Sequence, residues 1–278
     1  MVAKKTDREL DFERKHAEDL QRLRGFRLLL RGFRLLDDDF MSKVFEDAAC
    51  TEFLLQIVLN RSDLKVQRVH PQYEIKNLQG RSVRLDILAT DVSGRPYNIE
   101  IQRNDRGAGV KRARYNSSLL DANVTEPGDK YEQLAETYVI FITENDVLGG
   151  GKPIYHIERI IQELDRPFGD DSHIIYVNSQ IKDETALGKL MHDFACTDAE
   201  DMYYKVLAKR VQYFKEDQKG VAIMCKVMED MRNETIREKA LSTARNLLAL
   251  NRLTYEEIAA VVGLSVDDVK ALDEQKTA

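Results

Sequence analysis

The chain is short of cysteine, of late proline, of excess basic charge and of long apolar runs, and each shortage excludes a class of protein. Its longest apolar stretches, such as Leu54–Leu59 (LLQIVL), are interrupted within a turn or two. A bilayer span needs roughly 18 such residues. The opening MVAKKTDRELDFERK is charged throughout and lacks the apolar region of a secretory signal. Three cysteines (Cys50, Cys196, Cys225) are odd in number and far apart, with no C-x-x-C pair and no zinc-finger spacing to histidine. They read as inert thiols in a reducing compartment, so a soluble cytoplasmic protein is expected, with no membrane partner. Lys and Arg number 42 against 48 Asp and Glu, a net charge of −6 and a pI near 5.6. That rules out coating nucleic acid through bulk positive charge. Any anion binding must be local.

What is present is enough apolar material, 43% of residues, for a core. No proline follows Pro167, and from about residue 181 the pattern is helical to the end. Residues 7–36 also read as helix. Within them LRGFRLL occurs twice in tandem, at 23–29 and 30–36. Seven residues is two helical turns, so Arg24, Arg27, Arg31 and Arg34 are expected to form one basic stripe able to track phosphates. The alternative is a duplication that only lengthens a solvated helix, which Gly25 and Gly32 would weaken.

Residues 37–60 suggest two short helices with apolar positions at helical spacing. Val66–Lys76, Val83–Thr90 and Pro96–Arg103 then alternate as strands. Val110–Asn123 reads as a helix, and Thr137–Thr143 (TYVIFIT) and His173–Asn178 (HIIYVN) as buried strands. The order suggests an α/β sheet core. The expected division is a basic helical arm over 1–36, a core over 37–180 and an all-helical annex over 181–278.

The loop Val92–Gly94, closed by Asp91 and Arg95, predicts a hairpin in which Gly94 takes the left-handed position. Asp86 and Glu100 are equidistant from Ser93, so the register sets them face to face. Opposed carboxylates destabilise a strand pair unless something compensates. A divalent cation such as Mg²⁺ would do so, because it prefers hard oxygen ligands. A neighbouring Lys or Arg would also do so, leaving an ordinary hairpin with one wet face.

The ordered set FMSKVFED, VRLDI, YNIEIQR, KRARYNSSLLDA and YVIFIT resembles the PD-(D/E)XK nuclease family transposases, also described as recombination-promoting nucleases, over about residues 33–180. The resemblance implies a restriction-endonuclease-like fold, a mixed sheet flanked by helices, that cuts DNA with Mg²⁺, for which Mn²⁺ would substitute. It implies Asp86 and Glu100 as metal ligands, with the Ile101 carbonyl as a further one. Gln102 falls at the place of the motif lysine, and an acid of the first core helix completes the set. Among Asp37, Asp38 and Asp39, Asp38 fits best by its spacing to Phe45 and Asp47. Leu85 departs from the motif proline, and Gln102 offers a dipole where lysine offers a full charge.

On this reading Lys111, Arg112 and Arg114, opening the helix after the hairpin, contact phosphates, although basic residues there oppose the helix dipole. The expected function is Mg²⁺-dependent DNA endonuclease activity. The alternative is a weak or inactive nuclease fold that binds DNA or a protein. Nothing in these residues separates strand transfer from hydrolysis. His156 is expected at a strand-to-helix transition as a structural histidine, and His173 and His192 have no partner at ligand spacing. Gly149–Gly151 lacks a GK[ST] ending and reads as a flexible turn. Tyr203, Tyr204 and Tyr213 read as core. Thr254/Glu257 and Ser265/Asp268 mark two capped helices joined at Gly263, resembling a helix-turn-helix. Asp267, Asp268, Asp273 and Glu274 make the second a poor groove binder. It is expected to pack or to bind protein, and the helical annex is the surface expected for self-association.

Overall fold

The computed structural model describes residues 25–77, 81–103, 105–125, 128 and 130–277. A helix at 25–31 (α1) leads through a turn into α2 (Asp38–Val44) and α3 (Ala48–Val58). The side chain of Asp47 starts α3 by accepting from Ala49 N and Cys50 N, which satisfies amides that have no partner within the helix. Three antiparallel strands follow: β1 (Val66–Ile75), β2 (Val83–Asp91) and β3 (Pro96–Gln102). A short 3-10 turn (Asp105–Ala108) and α4 (Val110–Val124) then carry the chain to β4 (Thr137–Thr143), parallel to β3. A parallel neighbour needs such a crossover because a tight hairpin cannot reverse the chain twice.

β5 (Ile154–Ile157) forms one sheet edge, and β6 (Ile160–Ile161) with β7 (Arg166–Pro167) forms a separate small hairpin. β8 (Ser172–Asn178) lies parallel to β4, giving the mixed order β1-β2-β3-β4-β8-β5. The segment after His156 thus continues as strand and hairpin rather than turning into helix. Pro167, with left-handed backbone at Asp165 and Gly169, favours turns over a helical run there.

Helix α4 covers one sheet face, packing Ala113 and Leu120 on Val139, Phe141 and Tyr176. Helices α2, α3, α5 (Ala186–Ala195) and α6 (Lys205–Glu216) bury a second set of rings, with Phe45 stacked on Phe194 at 5.6 Å and Phe40 against Phe214. Each such side chain contributes about 1.5–3 kcal/mol by leaving water.

The helical part beyond residue 181 is not one piece. The chain divides into compact units 1–221 and 222–278, and α5 and α6 belong to the first, where they pack on α3. In the second unit, the later turns of α7 (Gln218–Leu250) pack with α8 (Tyr255–Val262) and α9 (Val266–Thr277) around Ala244, Ile258 and Val269. Thr254 and Glu257 form the expected capping box, and Gly263, at φ +74°, ends α8. Among the described residues no helix is long and apolar enough to cross a membrane.

The N-terminal helix stops at residue 31. Gly32 N and Phe33 N close onto Leu29 O and Leu30 O, and Asp37 N bonds Arg34 O. Burial of Leu35 and Leu36 pulls the chain out of helix. The expected continuous helix over 7–36 is therefore broken in its described part, and Arg34 leaves the line of Arg27 and Arg31. Arg24 lies outside the described residues.

Candidate metal and nucleic-acid site

The predicted hairpin is present, with Gly94 at φ +83° and Asp91 N bonded to Arg95 O. Its register pairs Ile87 with Ile99 and Leu88 with Asn98. One step further Asp86 would oppose Glu100, but the ladder ends at Ile87 and Ile99 and the strands part. Asp86 Oδ2 instead accepts from Ile101 N at 2.9 Å. An extended residue points its N–H and C=O to the same edge, so the Ile101 carbonyl also faces this gap.

Glu100 is wholly buried, 0% exposed, on the sheet face covered by α4. Its Oε2 accepts from Arg112 Nη2 at 2.8 Å, whereas Oε1 has no hydrogen-bond partner. The Asn98 amide lies close enough to hold the Glu100 pKa down, yet both its polar atoms lack a properly aligned partner. Burial is the main force on both acids. It pushes Asp86 up to about 6, aided by the Asp38 charge and opposed by Ile101 N–H, Arg112 and Arg84. It pushes Glu100 up to about 8, aided by Asp86 and opposed by Arg112. Both acids resist carrying charge without a cation.

Asp38, on the first turn of α2, sits close enough to Asp86 for its charge to raise the Asp86 carboxyl. Its own pKa is raised by burial first, then by Asp39 and Asp37, against Arg103. Its neighbour Asp37 is engaged elsewhere: it accepts from Arg34 N at 2.7 Å and pairs with Arg103 at 2.8 Å. Glu144 completes this group by pairing with Arg34 (2.9 Å) and Arg103 (3.3 Å). Arg34 is therefore bound in ion pairs rather than standing in a phosphate-tracking stripe. Arg27 and Arg31 are exposed on α1 and line a separate cleft of ≈ 570 Å³ with Lys215 and Asp198.

Helix α4 opens on Gly109 without a side-chain cap and without an acid in its first turn. Lys111 and Arg114 face solvent. Arg112 does not. It turns inward to Glu100, to Gly107 O (Nη1, 3.0 Å) and more distantly to Gln102 Oε1 (3.4 Å). Gly107 presses so closely on the Gln102 amide that any side chain there would strike it.

The sequence reading missed the Arg34–Asp37–Arg103–Glu144 group and the contact at Gly107, since both join residues far apart in the chain. It also missed His192, Asp193 and Cys196, whose ligand atoms lie within 4.8 Å of one another; the i, i+4 spacing of His192 and Cys196 on α5 was the available signal. Asp193 already accepts from Tyr203 N and Tyr204 N, and the Cys196 thiol is pushed up to about 11 by burial and by Asp193. That group therefore reads as structural. Tyr203 is exposed rather than core. The 149–151 turn is ordered by Asp146, which accepts from Gly149 N and Gly151 N. His173 stacks on Tyr138 and lies beside Glu136, on the sheet face away from Glu100.

The donor set at the strand gap suits a hard divalent cation: carboxylate oxygens, one of them buried with no partner, and a carbonyl turned toward the gap. The family model for PD-(D/E)XK nuclease family transposases matches residues 46–187, just over half of the chain. Asp86, Glu100, Gln102 and all of α4 lie inside the match, while Asp38 lies ahead of it. No curated protein and no solved structure matches the chain.

Proposed function

Since the chain belongs to the PD-(D/E)XK nuclease family transposases, we propose that it is a divalent-metal-dependent DNA endonuclease. The observation that carries this reading is the parting of β2 and β3, which leaves two charge-resisting carboxyls near each other, Glu100 buried and Asp86 half-buried. Asp86, Glu100 and the Ile101 carbonyl would hold the ion, Mg²⁺ with Mn²⁺ as substitute, and Asp38 would support it. When bound, such an ion supplies Lewis acidity at the phosphodiester and makes water a better nucleophile.

The protein's own groups supply orientation. Ile101 N–H fixes Asp86 so that its other oxygen is left for the ion. Gln102 presents its amide to the attacking water, whose oxygen bonds to phosphorus as the P–O bond to the leaving nucleotide breaks. Lys111 and Arg114, exposed on the first turns of α4, would contact flanking phosphates. Asp86→Ala should abolish Mg²⁺-dependent nicking of supercoiled plasmid; equal nicking by variant and wild type would refute the proposal.

One observation favours a second reading. The Arg112–Glu100 pair already offsets part of the buried charge without metal, as a nuclease fold retained only for binding would require. Thermal denaturation separates the two. An ion present at 100 times its dissociation constant stabilises by about 2.7 kcal/mol, so Mg²⁺ or Mn²⁺ should raise the melting temperature of an active site. No rise would favour the binding role.

A further inference from the structure

Gln102 is neutral, so a chemical step that builds negative charge on phosphate lacks a cation from β3. Arg112 comes from another element and reaches the same place. Its Nη2 lies 2.8 Å from Glu100 Oε2, and its Nη1 lies 3.0 Å from Gly107 O and 3.4 Å from Gln102 Oε1. The guanidinium thus bridges the buried Glu100 carboxyl and the Gln102 amide. Its side chain is 38% exposed whereas Glu100 is 0% exposed, so it spans the boundary between the interior and solvent. A guanidinium has five N–H donors in a fixed fork, and the bonds found here leave some of them for an incoming anion. An arginine in the first turn of a helix without an acidic residue opposes the helix dipole. That cost is offset only while an anion holds it.

We propose, building on the nuclease reading above, that Arg112 is an exchangeable counter-ion supplying the positive charge that the Gln102 position lacks. In the ion-free protein its guanidinium is held at Glu100 Oε2. A divalent cation taken up at the unpartnered Oε1 of Glu100 would repel the guanidinium and release it. Once released, it swings a few bonds outward to the DNA phosphate beside Gln102. Glu100 and the phosphate are alternative partners for one guanidinium, so metal loading and phosphate engagement are coupled through it.

The test uses the full chain and four proteins: wild type, Arg112→Met, Arg112→Lys and the double variant Arg112→Met/Gln102→Lys. Mn²⁺ binding is measured by calorimetry without DNA, and plasmid nicking is measured separately. Removing the competing charge should tighten Mn²⁺ binding to Arg112→Met on the order of tenfold while lowering the nicking rate by about 10²-fold. Arg112→Lys should keep Mn²⁺ affinity near wild type and retain part of the rate, and the double variant should recover rate that Arg112→Met loses. Unchanged Mn²⁺ affinity and unchanged nicking in Arg112→Met would overturn the proposal alone. So would an Arg112→Lys variant as slow as Arg112→Met with unaltered Mn²⁺ affinity, since that marks a merely structural arginine. Absence of both Mn²⁺ binding and nicking in the wild type would overturn the nuclease reading and this proposal together.

Discussion

Two groups of buried carboxylates in the first unit are treated in opposite ways. Asp193 is fully buried, and its oxygens accept from Tyr203 N at 2.8 Å and Tyr204 N at 2.9 Å, closing the start of α6. Asp91 accepts from Ser93 N, Arg95 N and the Tyr97 hydroxyl, so it ties the hairpin turn to the sheet. Glu100 is buried as deeply, yet one oxygen has no partner and its neighbour Asp86 adds repulsion. Burying a carboxylate is costly unless donors replace water. Where every oxygen is served, the acid stabilises the fold. Where one is left over, the fold carries a cost that a proton or a bound cation relieves.

Removing charge should therefore do opposite things in the two places. Asp193→Asn replaces one acceptor oxygen with a donor, which then faces one of the two backbone N–H groups. Its loss should be about 2–4 kcal/mol, read as a lower melting temperature with or without metal. Glu100→Gln imitates the protonated acid that burial already favours, so its ion-free stability should change by less than about 1 kcal/mol. Equal losses in the two variants would erase the distinction.

A pH titration sharpens the comparison. In the folded chain Asp86 and Glu100 hold protons up to about pH 6 and about pH 8, whereas in the unfolded chain they release them near about pH 4. Between these values the native state binds more protons, so ion-free stability is fullest below about pH 4 and falls as pH rises through 6 to 8. This component should flatten with saturating Mg²⁺ and in the double variant Asp86→Asn/Glu100→Gln. Thermal melts in chelator from pH 5 to 8.5 check it, and an identical slope in wild type and double variant would count against the pKa assignment.

The smallest effect concerns positioning. Gly107→Ala would push the Gln102 amide aside, a move that a flexible side chain makes cheaply. Stability should shift by less than about 1 kcal/mol, with nicking reduced several-fold. Unaltered nicking would mean that the position of Gln102 does not matter to the reaction.

Much of the site was legible because it depends on a short stretch of chain. A two-residue period, a three-residue loop and one left-handed glycine suffice to bring Asp86 level with Glu100. The opening of the ladder at that level was not legible, since it needs Ile101 N–H to choose a side chain over a strand partner. The roles of the three consecutive aspartates were equally hidden. Asp37 is taken by Arg34 and Arg103, which also hold the distant Glu144, while the charge of Asp38 reaches Asp86.

The duplicated heptapeptide marks where sequence stops and tertiary structure begins. Both copies read LRGFRLL, and local rules assign them the same helix and the same face. In the first copy Leu28 is 66% exposed on α1; in the second its counterpart Leu35 is 1% exposed. Arg27 faces solvent while Arg34 pairs with Asp37 and Glu144. By itself the sequence determined the β1–β3 strands, the hairpin between β2 and β3 and the acids they carry, because those follow from patterns local to a short stretch of chain. Only the tertiary structure decided which copy is buried, which aspartate is tied into ion pairs and that Arg112 turns inward. Each depends on which surface another part of the chain removes from water, and no local pattern contains that.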